Sequence, residues 1–112
     1  MGDFQRGDKL IYFIAVIKKR AERDGIECSI HLSDLYSIWT GYCEMTGEKL
    51  LVYDSWNKNK AFTNASVDRK DSARGYHADN IQWVTKKVNM AKQSLSVDDF
   101  VEICKAVAKY NV

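Results

Sequence analysis

Between residues 65 and 92 the chain reads ASVDRKDSARGYHADNIQWVTKKVNMAK, and here the side chains able to do chemistry gather. Asp68 offers a carboxylate at the end of one short strand, and Asn89 an amide oxygen on the helix expected to follow a second. Both are hard ligands suited to Mg²⁺, an ion that keeps several waters and takes one or two protein oxygens when phosphate supplies the rest. Asn80, at the start of the second strand, is placed to face back across the hairpin and hydrogen-bond the backbone of the first. Asp and Asn are also the commonest turn and cap residues, so spacing alone leaves a structural use open.

The same stretch holds the chain's surplus of positive charge. Residues 1–55 carry 7 basic and 9 acidic groups, residues 56–92 carry 8 and 3, and residues 93–112 carry 2 and 3, giving sums of −2, +5 and −1. A polyanion would meet the middle segment. Arg69, Lys70, Arg74, Lys86, Lys87 and Lys92 form the phosphate-contacting set, with Tyr76 and Trp83 interleaved. Such contacts position a nucleic acid without reading its sequence. The competing reading is a solvated, loop-rich face, and Trp83 is read as core before base-stacking platform.

The elements that must position these groups follow from periodicity. Leu10, Phe13, Ile14, Ile17 and Ala21 draw one apolar stripe on a helix over about residues 5–23, which Asp24-Gly25 stops. IECSIHL alternates and predicts a short strand, with His31 structural; Ser33 then caps a short helix through Trp39. Thr46-Gly47 marks a turn before the apolar run Leu50 to Tyr53, and WNKNKAFT, residues 56–63, reads as a loop. Two strands are expected at about 65–69 and 80–84, bridged by DSARGYHAD, then a helix carrying Val84, Val88 and Ala91 inward with Lys86, Lys87 and Lys92 facing out. Finally Ser96 and Asp99 open a helix whose Phe100, Ile103, Val107 and Tyr110 make a buried stripe. The fold class is α+β, a hairpin-plus-helix core packed between N- and C-terminal helices.

Composition narrows the class further. At 112 residues this is a single domain, with its core at about 65–92. With 46% hydrophobic and 29% charged residues it is a globular chain, neither disordered nor fibrous. The longest apolar run, Leu10 to Ile17, is too short to span a bilayer and is closed by Lys18, Lys19 and Arg20, so no membrane partner is expected. Cys28, Cys43 and Cys104 are odd in number and widely separated, with no CxxC pair; no structural zinc and no disulfide framework are expected, and a cytoplasmic location fits.

The order SVDRKDSARGY then NIQWVTKKVNMAK resembles the core of the HNH (His-Me finger, ββα-metal) endonuclease family, in particular its small phage-type proteins with an Asp-Arg pair at the first motif position. The likeness extends over most of the chain, through the amphipathic first helix, AERDGIECSIHLSDLYSIW, the Cys-x-x-Thr-Gly turn at Cys43 to Gly47, and the terminal SVDDFVEICKAVAKY helix. It implies a divalent-metal-dependent DNA endonuclease in which Asp68 and Asn89 hold Mg²⁺ or Mn²⁺ and Asn80 braces the first strand. It also implies a general base directly after the Asp, usually His. Here that residue is Arg69.

A guanidinium keeps its proton at biological pH and cannot accept one from water, though it can grip phosphate bidentately. Losing the general base removes about two to four orders of magnitude in rate, leaving weak metal-assisted cleavage or none. Two substitutes stand within the motif: Asp71, three residues past Asp68, and His77, an imidazole three residues before Asn80 whose plainer reading is an exposed loop histidine. The alternative function is a catalytically silent HNH-fold protein, either a DNA-binding module or an inhibitor of a host nuclease or defence system. DNA, or a host protein in the host cytoplasm if the chain is phage-encoded, is the expected partner.

Overall fold

The computed structural model describes residues 8–52 and 63–112. Helix α1 (Asp8–Asp24) buries Leu10, Phe13, Ile17 and Ala21, the stripe its periodicity dictates, and leaves Ile11 and Tyr12 exposed. It ends in a Schellman motif at Gly25 (φ +66°): Ile26 N–H donates to Ala21 O at 2.8 Å and Gly25 N–H to Glu22 O at 3.4 Å. The chain then turns into α2 (Leu32–Ser37), entered from His31, whose N–H is accepted by the Asp34 carboxylate at 2.8 Å. Ser33 therefore lies inside the helix instead of capping it. The expected strand over 26–32 is not formed. That segment meets the rest of the chain through a parallel bridge, Ser29 N–H to Tyr76 O at 2.9 Å and Tyr76 N–H to Glu27 O at 2.8 Å. Gly75 lies flat against Glu27, where any side chain would collide with the Glu27 backbone.

Cys43 to Gly47 close a turn in which Gly47 (φ +78°) donates to Cys43 O at 2.9 Å. The apolar run after it is not a strand over its described residues: Leu50 is buried and Leu51 exposed, while Tyr53 and most of the expected 56–63 loop fall outside the described residues. Strands β1 (Ala65–Arg69) and β2 (Ile81–Thr85) pair antiparallel, Ala65 opposite Thr85 and Arg69 opposite Ile81, with a short 3₁₀ turn (Ala78–Asn80) leading into β2.

Because side chains alternate along a strand, the hairpin has two distinct faces. Val67, Ile81 and Trp83 point toward α1 and α2; Trp83 is fully buried, edge-on to Phe13 and Trp39 at 4.9 Å between centroids in each case, and its indole N–H donates to Leu35 O at 3.0 Å. Ser66, Asp68, Gln82 and Val84 point the other way and are covered by α3 (Lys86–Lys92). Layers of helix on both faces explain why all five β2 residues are buried. Overall the described chain is α+β, with four α-helices and one two-stranded sheet.

Helix α3 differs from expectation in phase. Thr85 is its N-cap, its hydroxyl accepting Val88 N–H at 3.2 Å, so Val84 belongs to β2 and the inward stripe is Val88, Asn89 and Lys92. Ala91 is exposed and Lys92, expected to face solvent, is wholly buried. The helix ends where Lys92 O accepts Leu95 N–H at 3.0 Å around Gln93, which holds φ 48° and ψ −121°. These are the angles of the first central position of a type II′ turn, which favours glycine.

Helix α4 (Val97–Tyr110) starts as expected, the Ser96 hydroxyl accepting Asp99 N–H at 3.1 Å. Its stripe, however, is not buried. Phe100 packs on the core, Val97 N–H donates to Lys70 O at 3.1 Å, and from Glu102 onward every residue is exposed, including Ile103, Val107 and Tyr110. The amphipathic pattern was set by sequence, but only the first turn of the helix lies over the globule. No helix of the described residues is long and apolar enough to cross a membrane.

Candidate functional site

The α3-covered face of the hairpin holds a buried polar cluster. Ser66 and Asp68, two residues apart on β1, meet Asn89 and Lys92, one helical turn apart on α3. Asn89 Nδ2 donates to Ser66 Oγ at 2.7 Å. Lys92 Nζ lies 3.1 Å from Asp68 Oδ2 and 3.4 Å from Oδ1, and donates to Arg69 O at 2.9 Å. Directly across the ladder Gln82 Nε2 donates to Asp68 Oδ2 at 3.0 Å. Asp68 is 5% exposed and Lys92 0%.

These distances define a closed ion pair. An ammonium has three N–H donors, and here three oxygens surround it. Desolvation offsets much of the attraction in such a pair, but taking away one partner leaves a bare buried charge, at a cost of about 3–5 kcal/mol. The expected metal ligands do share a face and neighbouring rungs, yet Asp68 is engaged by Lys92 and Gln82, and the Asn89 amide nitrogen is turned to Ser66. Mg²⁺ requires near-octahedral oxygen ligands, several of them water. The carboxylate has no solvent-facing room for those waters, so the residues as arranged do not fit the ion.

Asn80 braces the loop that joins the strands. Its Nδ2 donates to Asp71 O at 3.0 Å and Gly75 O at 2.9 Å, its Oδ1 accepts Asp71 N–H at 3.0 Å, and its main-chain oxygen accepts Lys70 N–H at 2.9 Å. The bracing expected of Asn80 thus falls on the loop more than on β1 itself.

Arg69 projects from the opposite face of β1. Its Nη1 donates to Ser72 O at 3.0 Å and Arg74 O at 2.9 Å, and the guanidinium stands 5.3 Å above the Tyr76 ring. It lines an open cleft of about 600 Å³ together with Glu27, Arg74, Gly75 and His77. Arg74 is paired with Asp79 at 2.9 Å; the hydrogen bond from Arg74 holds the Asp79 carboxyl below the usual carboxylate range, outweighing the opposing desolvation. His77 Nδ1 lies 2.7 Å from Ser29 Oγ and its Nε2 3.4 Å from Glu27 Oε1. Asp71 is on a different groove, of about 500 Å³, beside Glu44, Lys70, Gln82 and Asp98, with its Oδ1 accepting Ala73 N–H at 2.9 Å. The two substitute bases therefore stand on separate surfaces.

Of the expected phosphate-contacting set, Lys70, Lys86 and Lys87 are exposed, Arg74 is exposed but paired with Asp79, Arg69 is half-buried, and Lys92 is removed from solvent altogether. Lys92 must be struck from that set. Its i+3 spacing from Asn89 was the sequence signal for its true role, since both residues fall on one helix face. Gln82 and Ser66 carried no such signal. Among the thiols, Cys43 is unusual: burial pushes it up, but the Thr46 hydroxyl and the backbone N–H groups of Thr46, Met45 and Thr85 outweigh that and hold it below the usual thiol range. Compared with models of known protein families, with curated protein sequences and with solved structures, the chain matches none.

Proposed function

We propose that this protein is an HNH-like DNA-acting domain of the small phage type in which binding to duplex DNA dominates and phosphodiester cleavage is weak or lost. The observation that carries this reading is the pairing of Asp68 with Lys92 on a hairpin-plus-helix unit otherwise arranged as the family resemblance implies. Arg69 supports it, being a proton-holding group fixed to loop carbonyls where the family has a base. For binding, the exposed cations are Lys70 at one end of the hairpin and Lys86 and Lys87 at the other. Five rungs lie between them, six residue steps or about 20 Å along the strand, enough to contact phosphates at two places on a duplex.

A second reading, an active Mg²⁺- or Mn²⁺-dependent endonuclease, is favoured by one feature: Asp68, Asn80 and Asn89 all stand within the same small unit. In that case the Asp71 or His77 side would supply the proton acceptor.

The test uses labelled duplex and supercoiled plasmid. Duplex affinity should fall steeply between ~50 and ~200 mM salt, and Lys86→Ala with Lys87→Ala should flatten the log–log slope by about 1.8, or 0.9 per phosphate contact. Plasmid should stay essentially uncut with either ion. EDTA-sensitive nicking that Asp68→Asn abolishes in a protein that still shows a cooperative melting transition would establish the endonuclease reading. Absence of DNA binding even at low salt would reject both and direct attention to a host protein partner.

A further inference from the structure

A wholly buried lysine is rare unless it is paired, and Lys92 is paired in a particular way. Three oxygens converge on its Nζ: both carboxylate oxygens of Asp68, at 3.1 and 3.4 Å, and the main-chain oxygen of Arg69, at 2.9 Å. A carboxylate with a neighbouring carbonyl is the oxygen set a hard cation takes. Gln82 donates at 3.0 Å to Oδ2, the carboxylate oxygen nearer the ammonium, and the turn at Gln93 fixes the main chain directly behind the lysine.

We propose that Lys92 is the resident cation of this site: its ammonium occupies the place a divalent ion would take beside Asp68, so the hairpin and α3 are joined without a metal. The pair is electrically neutral. A divalent ion can enter only by driving the wholly buried ammonium out of Asp68's reach. The same oxygens, freed of Lys92, would present an unpaired carboxylate with room where the Nζ had been. Lys92 thus decides whether the Asp68 site carries an ion. The proposal takes from the HNH-like reading only the choice of Mg²⁺ and Mn²⁺ as competitors. It concerns ion binding, so it can fail while DNA binding holds, and hold while DNA binding fails.

The experiment compares wild type, Lys92→Met and the double variant Asp68→Asn/Lys92→Met for Mn²⁺ binding by electron paramagnetic resonance and for melting temperature against Mn²⁺ and Mg²⁺. Wild type should show no saturable Mn²⁺ binding that depends on Asp68, and no ion-dependent melting shift. Lys92→Met should melt lower than wild type in EDTA, bind Mn²⁺ at least ~10-fold more tightly, and rise in melting temperature with ion concentration, as a ligand of the native state alone requires. The double variant should lose the ion response. A Lys92→Met protein that responds to ions no more than the double variant overturns the proposal. So does Asp68-dependent Mn²⁺ binding by wild type. Should Lys92→Met fail to fold, wild-type amide spectra decide: Mn²⁺-induced broadening centred on Asp68 and Asn89 refutes the proposal, and sharp signals there at millimolar Mn²⁺ support it.

Discussion

Replacing Asn80 gives the sharpest test of how the region around the site is held. Asn80 is 2% exposed, and its side chain makes three hydrogen bonds to the loop, two to main-chain oxygens of Asp71 and Gly75 and one from Asp71 N–H. Each such bond contributes about 0.5–1.5 kcal/mol net. Asn80→Ala removes all three, and because Gly75 is buried its oxygen has no water to turn to. The loss should come to about 2–4 kcal/mol, a large part of the ~5–15 kcal/mol that holds a domain of this size together. With a urea m-value of about 1.5 kcal/mol/M the midpoint should fall by roughly 2 M. Asn80→Asp should be worse than Ala, since it keeps one acceptor but sets a carboxylate against two carbonyl oxygens. A midpoint shift under ~0.5 M for Ala, or an Asp variant as stable as wild type, would show that Asn80 does not brace this loop.

Three other outcomes follow from the geometry. Arg69→His removes both Nη1 bonds to the loop carbonyls and should cost about 1–2 kcal/mol in urea unfolding, speed amide exchange at Ala73 and Gly75, and leave plasmid cleavage no higher; unchanged stability and exchange would show that these bonds do not hold the loop. Gln93→Gly should stabilise by about 0.5–1 kcal/mol, because glycine adopts the positive φ of the II′ turn without steric cost; destabilisation would mean the Gln93 side chain contributes more than its strain costs. Asp79 is held below the ordinary carboxylate range by Arg74, so this pair adds stability that is present at neutral pH and lost as pH falls below ~4. Asp79→Asn should therefore flatten part of the acid limb of a stability–pH curve, and an unchanged limb would count against the pairing.

The sequence was most legible where structure is decided locally. The α1 stripe, the Gly25 stop, the Ser96 cap and the two strands all depend on residues within a few positions of each other, and the strand bounds at 65–69 and 81–85 fall within one residue of expectation. What failed depends on partners distant in the chain. Alternation at 26–32 marks a strand only if a second strand is free to pair, and Tyr76 supplies a single bridge. The phase of α3 is fixed by Ser66 and Asp68, which select Asn89 and Lys92 over Ala91 as inward residues. An amphipathic pattern in α4 shows that one side is apolar but not what covers it. At the site, spacing along a strand-turn-strand-helix unit put Asp68, Asn80 and Asn89 in one small region, and that is where they lie. That a lysine would be drawn in against Asp68 depends on the packing of α3, which spacing alone does not fix.

The attachment of α4 by its first turn has a consequence for motion. A helix of 14 residues is near the length at which isolated helices are marginal in water. Beyond Val101 every residue of this one is exposed among the described residues, so little burial adds to its own hydrogen bonds. Its last two turns should therefore open and close on their own, with a local free energy near zero, while the hairpin and α1 open only when the whole domain does. The described residues should then open as two units, a core in which Trp83 and the Asp68–Lys92 pair stand or fall together and a C-terminal stalk that frays without disturbing it. Amides after Cys104 would exchange with solvent within seconds, and a protease would trim the stalk back toward Phe100 long before it cut the core.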